Sequence, residues 1–270
     1  MAWVLRGLRE GIVTTRYPGR PDDYGPGFKG SVSVLAGRAS TRGEPSTTTQ
    51  GREPDLSVLC PTGAIVEQAG EVTLDRGRCI LCGRCVEARP ETFAFEPSPE
   101  LASVRREGLI VPVRPESDEE LEHLRAELWS RVRSLRRSVH VRHLDAGSDG
   151  SEEWEVAALL NPVYDVQRLG IFFTASPRHA DLLLVTGAGT EAMVGPIRTT
   201  YEAMPGPKIV LAAGTDATSG GLVHPSYAVR GGVGSIVPVD VFVPGSPPSP
   251  FSLLYGILLA VGLLPRSGPR

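Results

Sequence analysis

Residues 58–93 read VLCPTGAIVEQAGEVTLDRGRCILCGRCVEARPETF and hold all four cysteines of the chain, Cys60, Cys79, Cys82 and Cys85. How these four are grouped decides the fold of the front half. Thiolates are soft ligands that suit zinc or iron–sulfur clusters. Cys79, Cys82 and Cys85 stand as C-x2-C-x2-C, a spacing that wraps one face of a cubane cluster, and Cys60 is followed by Pro61. In the two-cluster run C-x2-C-x2-C-x3-C-P the fourth cysteine serves the other cluster. With Cys60–Pro61 as the closing pair of a first run, its three earlier ligand positions fall on Gln50, Glu53 and Leu56. The closing position of the second run falls on Arg89, before Pro90. The ligands of one cluster are therefore missing as a set, and those of the other are present as a set. This predicts a single [4Fe–4S] cluster on Cys60, Cys79, Cys82 and Cys85, with zinc as the alternative occupant.

Outward from the cysteines, 61–75 reads as a short helix, a strand, a glycine turn and a second strand. Gly77 and Gly83 permit tight backbone turns around a metal. The stretches CPTGAI and CILCGRC resemble bacterial ferredoxin domains, which implies a small α+β ferredoxin-like domain over 57–113. Upstream, 37–56 is nearly free of large apolar residues and reads as a flexible loop in the place of the missing first run. Residues 1–36 open with an amphipathic turn or two, MAWVLRGLREG, followed by a Pro- and Gly-rich segment. These read as a docking arm lying on a partner, with a poorly ordered terminus as the alternative.

A length of 270 residues favours two domains, and 41% hydrophobic content suffices for a buried core. With 28 basic and 31 acidic residues the net charge is −3, so nucleic acid is not an expected partner. No secretory signal is visible. Cysteines gathered in one short segment indicate metal binding in a reducing compartment rather than disulfides. The longest apolar run, FSLLYGILLAVGLL at 251–264, would span about 21 Å as a helix against a hydrocarbon core of about 30 Å. It reads as a buried or docking helix.

A capping-box pattern at Ser117 and Glu120 starts a connecting helix over 114–137, with Leu121, Leu124, Leu128, Val132 and Leu135 on one face. The cluster Arg131, Arg133, Arg136 and Arg137 reads as its solvated basic end. From 138 to 265 the pattern alternates. SVHVRHLD, DLLLVTGAG, KIVLAAG and SIVPVDVFV read as strands, and EWEVAALLN, TEAMVGPIRTTYEAM and SPFSLLYGILLAVG as helices. Nearly continuous apolar strands between helices predict a parallel sheet covered on both faces, a flavodoxin-like three-layer α/β/α domain. Sites in such sheets lie at the carboxyl ends of the strands. VTGAGTEAM lacks the third glycine of a dinucleotide fingerprint. His140, His143, His179 and His224 show no metal-ligand spacing.

The stretches 146–170, 176–187, 201–221 and 236–258 resemble the small subunit of membrane-bound, energy-converting [NiFe] hydrogenases of the formate hydrogenlyase type, and the complex I subunit that carries the terminal cluster. The segment from GIVTTRYPG through the cysteines resembles the ferredoxin-like subunit of the same complexes, so two usually separate neighbours are fused. The resemblance implies a terminal-cluster site, but the family's cysteine positions in G-S-C-x-G-C fall on Asp149 and Glu152. The third falls on Asp216 in GTDATSGG and the fourth on Ser246 in PGSPP. Three carboxylates and a hydroxyl do not hold a cubane. The expected outcomes are a site without metal, a hard cation such as Mg²⁺ or Ca²⁺, or a proton-relay role. Converging carboxylates should either raise one pKa or draw a cation, with Arg178 and Arg198 as candidates.

The resemblance thus implies an iron–sulfur subunit of a hydrogenase-like or complex-I-like complex, cytoplasmic and peripheral on the inner face of the membrane. It would bind one [4Fe–4S] cluster, lack the terminal one, act mainly as a scaffold and carry no catalytic site of its own. The alternative is a working electron-transfer subunit. Implied partners are a hydrogenase-type large subunit, membrane subunits met by the N-terminal arm and C-terminal helix, and a soluble ferredoxin-type carrier.

Overall fold

The computed structural model describes residues 2–20, 22, 27–35, 56–68, 71–112 and 115–264. Helix α1 (Ala2–Glu10) precedes a front part made of β1 (Ser31–Val34), α2 (Leu56–Leu59), β2 (Ile65–Gln68), β3 (Glu71–Asp75), α3 (Arg84–Ala88), β4 (Phe93–Glu96) and β5 (Ile110–Val111). Helix α4 (Pro115–Arg131) leads to the rear part. This comprises β6 (Val139–Asp145), α5 (Ser151–Ala158), β7 (Ile171–Phe173), β8 (Leu182–Thr186), α6 (Val194–Ala203), β9 (Ile209–Ala213), α7 (Gly214–Ser219), β10 (Val241–Val243) and α8 (Pro250–Val261).

The rear sheet is parallel throughout, in the order β10-β9-β8-β6-β7. Counted from β6 this is the flavodoxin-like order, whose topological switch point lies between β6 and β8. Every residue of β8 and β9 is buried, as central strands covered on both faces require. Successive side chains alternate between the two covers. Leu182, Leu184, Ile209 and Leu211 face α5, α8 and α4. Leu183, Val185, Val210 and Ala212 face Ile197 of α6 and Ala217 of α7. The outer edge at β10 is closed by an isolated antiparallel bridge, with Ser103 N–H on the Phe242 carbonyl at 2.9 Å and the reverse bond at 2.8 Å. Such a cover removes an exposed template for strand addition.

Helix α8 follows from local chemistry. Ser249 caps it by accepting the Ser252 N–H, Pro250 fills its first turn and Gly262 ends it at φ 68°. Its Leu253, Leu254, Ile257, Leu258 and Leu259 are buried in the rear core, and Trp129 Nε1 of α4 donates to the Leu259 carbonyl at 2.8 Å. Each such side chain is worth about 1.5–3 kcal/mol of burial. The expectation that this helix meets membrane partners is corrected: its apolar surface is spent on the chain's own sheet. No helix among the described residues is long and apolar enough to cross a membrane.

The front part pairs β1 with β4 and orders β2-β3-β5, all antiparallel. Its core joins Val32, Leu56, Ile65, Leu74, Phe93 and Val111, with Cys85 among them. The short helix predicted after Cys60 lies before it, at Leu56–Leu59, because the turn at Pro61 and Thr62 leads directly into β2. Of the predicted loop 37–56 only Leu56 is described, and it is buried.

Other differences are local. Helix α4 begins at Pro115, which places Ser117 inside it rather than at its cap; it ends at Arg131, followed by a 3-10 turn over Arg133–Arg137. Arg131 pairs with Asp240. SIVPVDVFV yields a strand only at Val241–Val243, because Val233–Ser235 forms a 3-10 turn ahead of Pro238. Edge strand β7, at IFF, was not expected from the pattern. The arm packs in part on its own chain: Thr15 N–H bonds the Val163 carbonyl at 2.8 Å, and Tyr17 stacks edge-on against Phe251 at 5.9 Å.

Candidate metal centre

Three loops bring the cysteines together. Cys60 ends α2, its N–H bonded to the Leu56 carbonyl at 3.1 Å. Cys79 follows β3 through a turn anchored on Asp75. That carboxylate accepts the Gly77 N–H at 2.9 Å and both Arg106 amino groups at 2.7 and 2.6 Å. Between Cys79 and Cys82 the chain passes through Leu81 at φ 57°, a left-handed conformation that a bulky residue adopts only under constraint. Gly83, at φ 79°, then starts α3, which carries Cys85.

All four cysteines line one pocket, partly open to solvent, whose other walls include Leu59, Ile65 and Leu74. Cys85 is buried and Cys82 exposed, so the cavity opens at Cys82. Burial pushes the Cys79 thiol up to about 12, against the Leu81 N–H, which favours the thiolate; the other three cysteines add to the rise. Burial likewise raises Cys85, opposed by the Val86 N–H. The Ala64 N–H reaches Cys60 Sγ at 3.2 Å. Four thiols and several backbone donors thus surround an apolar space in which uncompensated thiolates are costly, an environment suited to a cationic inorganic core. Among the described residues, no three His, Cys, Asp or Glu side chains are arranged to hold a single metal ion.

The second set of positions stands at the carboxyl ends of the rear strands. Asp149 and Glu152 follow β6, Asp216 follows β9 and Ser246 follows β10. Glu152 is 1% exposed. Burial raises its pKa to about 7, with Asp216, Asp149 and Glu153 adding repulsion. Burial raises Asp216 too, again with Asp149 and Glu153. Asp149 is exposed and goes the other way, held down by the Ser151 hydroxyl and N–H. Ser246 joins through its neighbour: the Gly245 carbonyl accepts the Thr215 N–H at 2.7 Å, one residue before Asp216. Of the two outcomes expected for converging carboxylates, the raised pKa is the one found. Neither Arg178 nor Arg198 pairs with these acids among the described residues, and the charges acting on Glu152 and Asp216 are all carboxylates.

Beside these acids, at the switch point, lies a network that sequence inspection missed. Glu153 accepts from Ser148 Oγ at 2.7 Å and from Thr186 Oγ1, and His143 Nε2 lies 3.0 Å from that Thr186 oxygen. Thr215 was missed as well; its hydroxyl donates to the Cys79 carbonyl at 3.0 Å. No local signal marks either, since both join residues distant in sequence.

Residues 150–260 match the family described as NADH ubiquinone oxidoreductase, 20 Kd subunit. Residues 72–125 match the 4Fe-4S single cluster domain, a range that takes in Cys79, Cys82 and Cys85 but not Cys60. The chain is 43% identical over 154 residues to formate hydrogenlyase subunit 7 of Escherichia coli, covering 57% of this chain and 59% of that one; it therefore spans little more than half of that relative. It is 42% identical over 130 residues to the Pyrococcus furiosus protein named "Probable membrane-bound hydrogenase subunit mbhJ", covering 48% of this chain and 78% of that one. Among solved structures, a chain of the membrane-bound sulfane sulfur reductase, an archaeal respiratory membrane complex, is 31% identical at a TM-score of 0.44, covering 52% of this chain and 75% of that one.

Proposed function

The chain belongs to the NADH ubiquinone oxidoreductase 20 kDa subunit family, and we propose that it serves a hydrogenase-like or complex-I-like complex as a subunit with one [4Fe–4S] cluster and no terminal cluster. The observation that carries this reading is the convergence of Cys60, Cys79, Cys82 and Cys85 on one cavity while carboxylates take the terminal positions. The C-x2-C-x2-C spacing of Cys79, Cys82 and Cys85, and the match of residues 72–125 to the 4Fe-4S single cluster domain, support a cluster over zinc. When bound, the cluster supplies one-electron chemistry.

The protein's own part is to hold and tune that group. The four thiolates ligate it, backbone N–H groups at Ala64, Leu81 and Val86 stabilise sulfur charge, and Leu59, Ile65 and Leu74 exclude water. At the rear, Glu152 and Asp216 can carry a proton but offer no soft ligand. A scaffold role follows, in which the rear sheet docks a large-subunit homologue and the chain stays peripheral on the inner face of the membrane. A second reading, electron exchange with a soluble ferredoxin-type carrier, is favoured by the exposure of Cys82.

Iron, sulfide and zinc analysis of anaerobically prepared protein, with EPR, tests the reading. About four irons per chain is the expected result, while about eight, or one zinc without sulfide, would overturn it. Redox titration separates the two roles: a cluster reducible by a ferredoxin-type carrier supports electron transfer, and one inert across that range supports the scaffold.

A further inference from the structure

The loop bearing Cys79 is held from the rear part of the chain. Thr215 is fully buried at the start of α7. Its side-chain hydroxyl donates to the Cys79 carbonyl, and no other donor among the described residues reaches that oxygen. Its N–H is bonded to the Gly245 carbonyl and its own carbonyl accepts Ser219 Oγ at 3.0 Å, so the hydroxyl is fixed in place. Three residues on, along the same face of the helix, the Thr218 methyl stands 2.8 Å from where a β-carbon on Gly77 would be. Thr215 and Thr218 thus meet the turn that delivers Cys79, and Gly77 leaves room for the Thr218 methyl and the Arg106 guanidinium.

We propose that Thr215 is a positioning residue for Cys79, through which the rear sheet sets the reduction potential and chemical stability of the front cluster. The inference rests on the one-cluster reading above. A hydroxyl donor on the carbonyl of a ligating cysteine offsets part of the negative end of that peptide dipole, and reduction adds an electron to the centre that the cysteine would hold. Hydrogen bonds around a cluster are among the established levers on its potential, and loss of a group that orients a metal ligand typically costs about 10–100-fold in metal affinity or activity.

The test uses the full chain loaded anaerobically, with Thr215→Val, which keeps the shape and removes the donor, and Thr215→Ser, which keeps the donor. Iron and sulfide content come first: a wild-type chain without about four irons defeats the cluster reading itself. Given that content, EPR-monitored titration of Thr215→Val should give a midpoint more negative than wild type, and a chelator should bleach it several-fold faster. Thr215→Ser should match wild type in both. A Thr215→Val protein identical to wild type in midpoint and bleaching, or a Thr215→Ser protein displaced as far as the valine variant, overturns the proposal. If the valine variant cannot be loaded, Thr215→Ser decides: a wild-type midpoint supports the role and a shifted one overturns it.

Discussion

Gly214 lies so close to Glu152 that a β-carbon at Gly214 would stand 2.6 Å from Glu152 Oε1. The first residue of α7 thus roofs the buried carboxylate, at φ 97°, a conformation that side-chain-bearing residues rarely adopt. Gly214→Ala combines backbone strain with displacement of a buried carboxylate. A loss of about 1–3 kcal/mol is expected from the strain alone, read as a lower urea midpoint. An unchanged midpoint would show that the roof is loose.

Glu152 makes stability depend on pH in a direction opposite to that of most carboxylates. Its folded pKa is raised to about 7 from an ordinary 4.5. The folded state therefore holds the proton more tightly, and the contribution is fully present below the unfolded pKa and lost as pH rises through about 7. Glu152→Gln, neutral at every pH, should gain on the order of 2–3 kcal/mol over wild type at pH 8 and little at pH 4. Urea unfolding at the two pH values measures the difference, and equal gains at both would contradict the burial argument. The raised Asp216 acts with the same sign.

Helix α8 carries the rear core. Leu254→Ala, at a fully buried position, should destabilise by about 2–5 kcal/mol, read as a lower urea midpoint. The exposed Leu8 of α1 should tolerate the same change within about 0.5 kcal/mol.

Metal removal should act on the front part first. Half-buried Cys79 and buried Cys85, protonated once metal is gone, leave an unfilled space in a small core, whereas the core of α8 and the parallel sheet stays intact. Anaerobic chelation followed by limited proteolysis is expected to cut within 56–112 and spare 138–264. Equal sensitivity of both halves would show that they unfold as one unit.

Several elements were legible because their causes are local. Ligand spacing at Cys79, Cys82 and Cys85 is a property of a few consecutive residues, and the grouping with Cys60 follows from the chain alone. The runs LLLVT and IVLAA announce strands covered on both faces, and Ser249, Pro250 and Gly262 bound α8 by rules of a single turn. Strand β7 was illegible because three residues carry no periodicity; pairing with β6 alone makes IFF a strand. The spread of β10 was overread because an apolar run does not reveal the turn at Val233–Ser235 that consumes it.

What the chain of residues determined by itself was its chemistry: soft thiols confined to the front, oxygen side chains at Asp149, Glu152, Asp216 and Ser246, where the resemblance implies cysteines, and strands that must be buried. What only the folded arrangement decided was which groups meet. It buried α8 against its own sheet rather than leaving it for a membrane partner, set Glu152 and Asp216 among other carboxylates, and set Thr215 on the Cys79 carbonyl. Each of these depends on distances between segments far apart in sequence, where burial and Coulomb energy are fixed by packing and no local pattern records them.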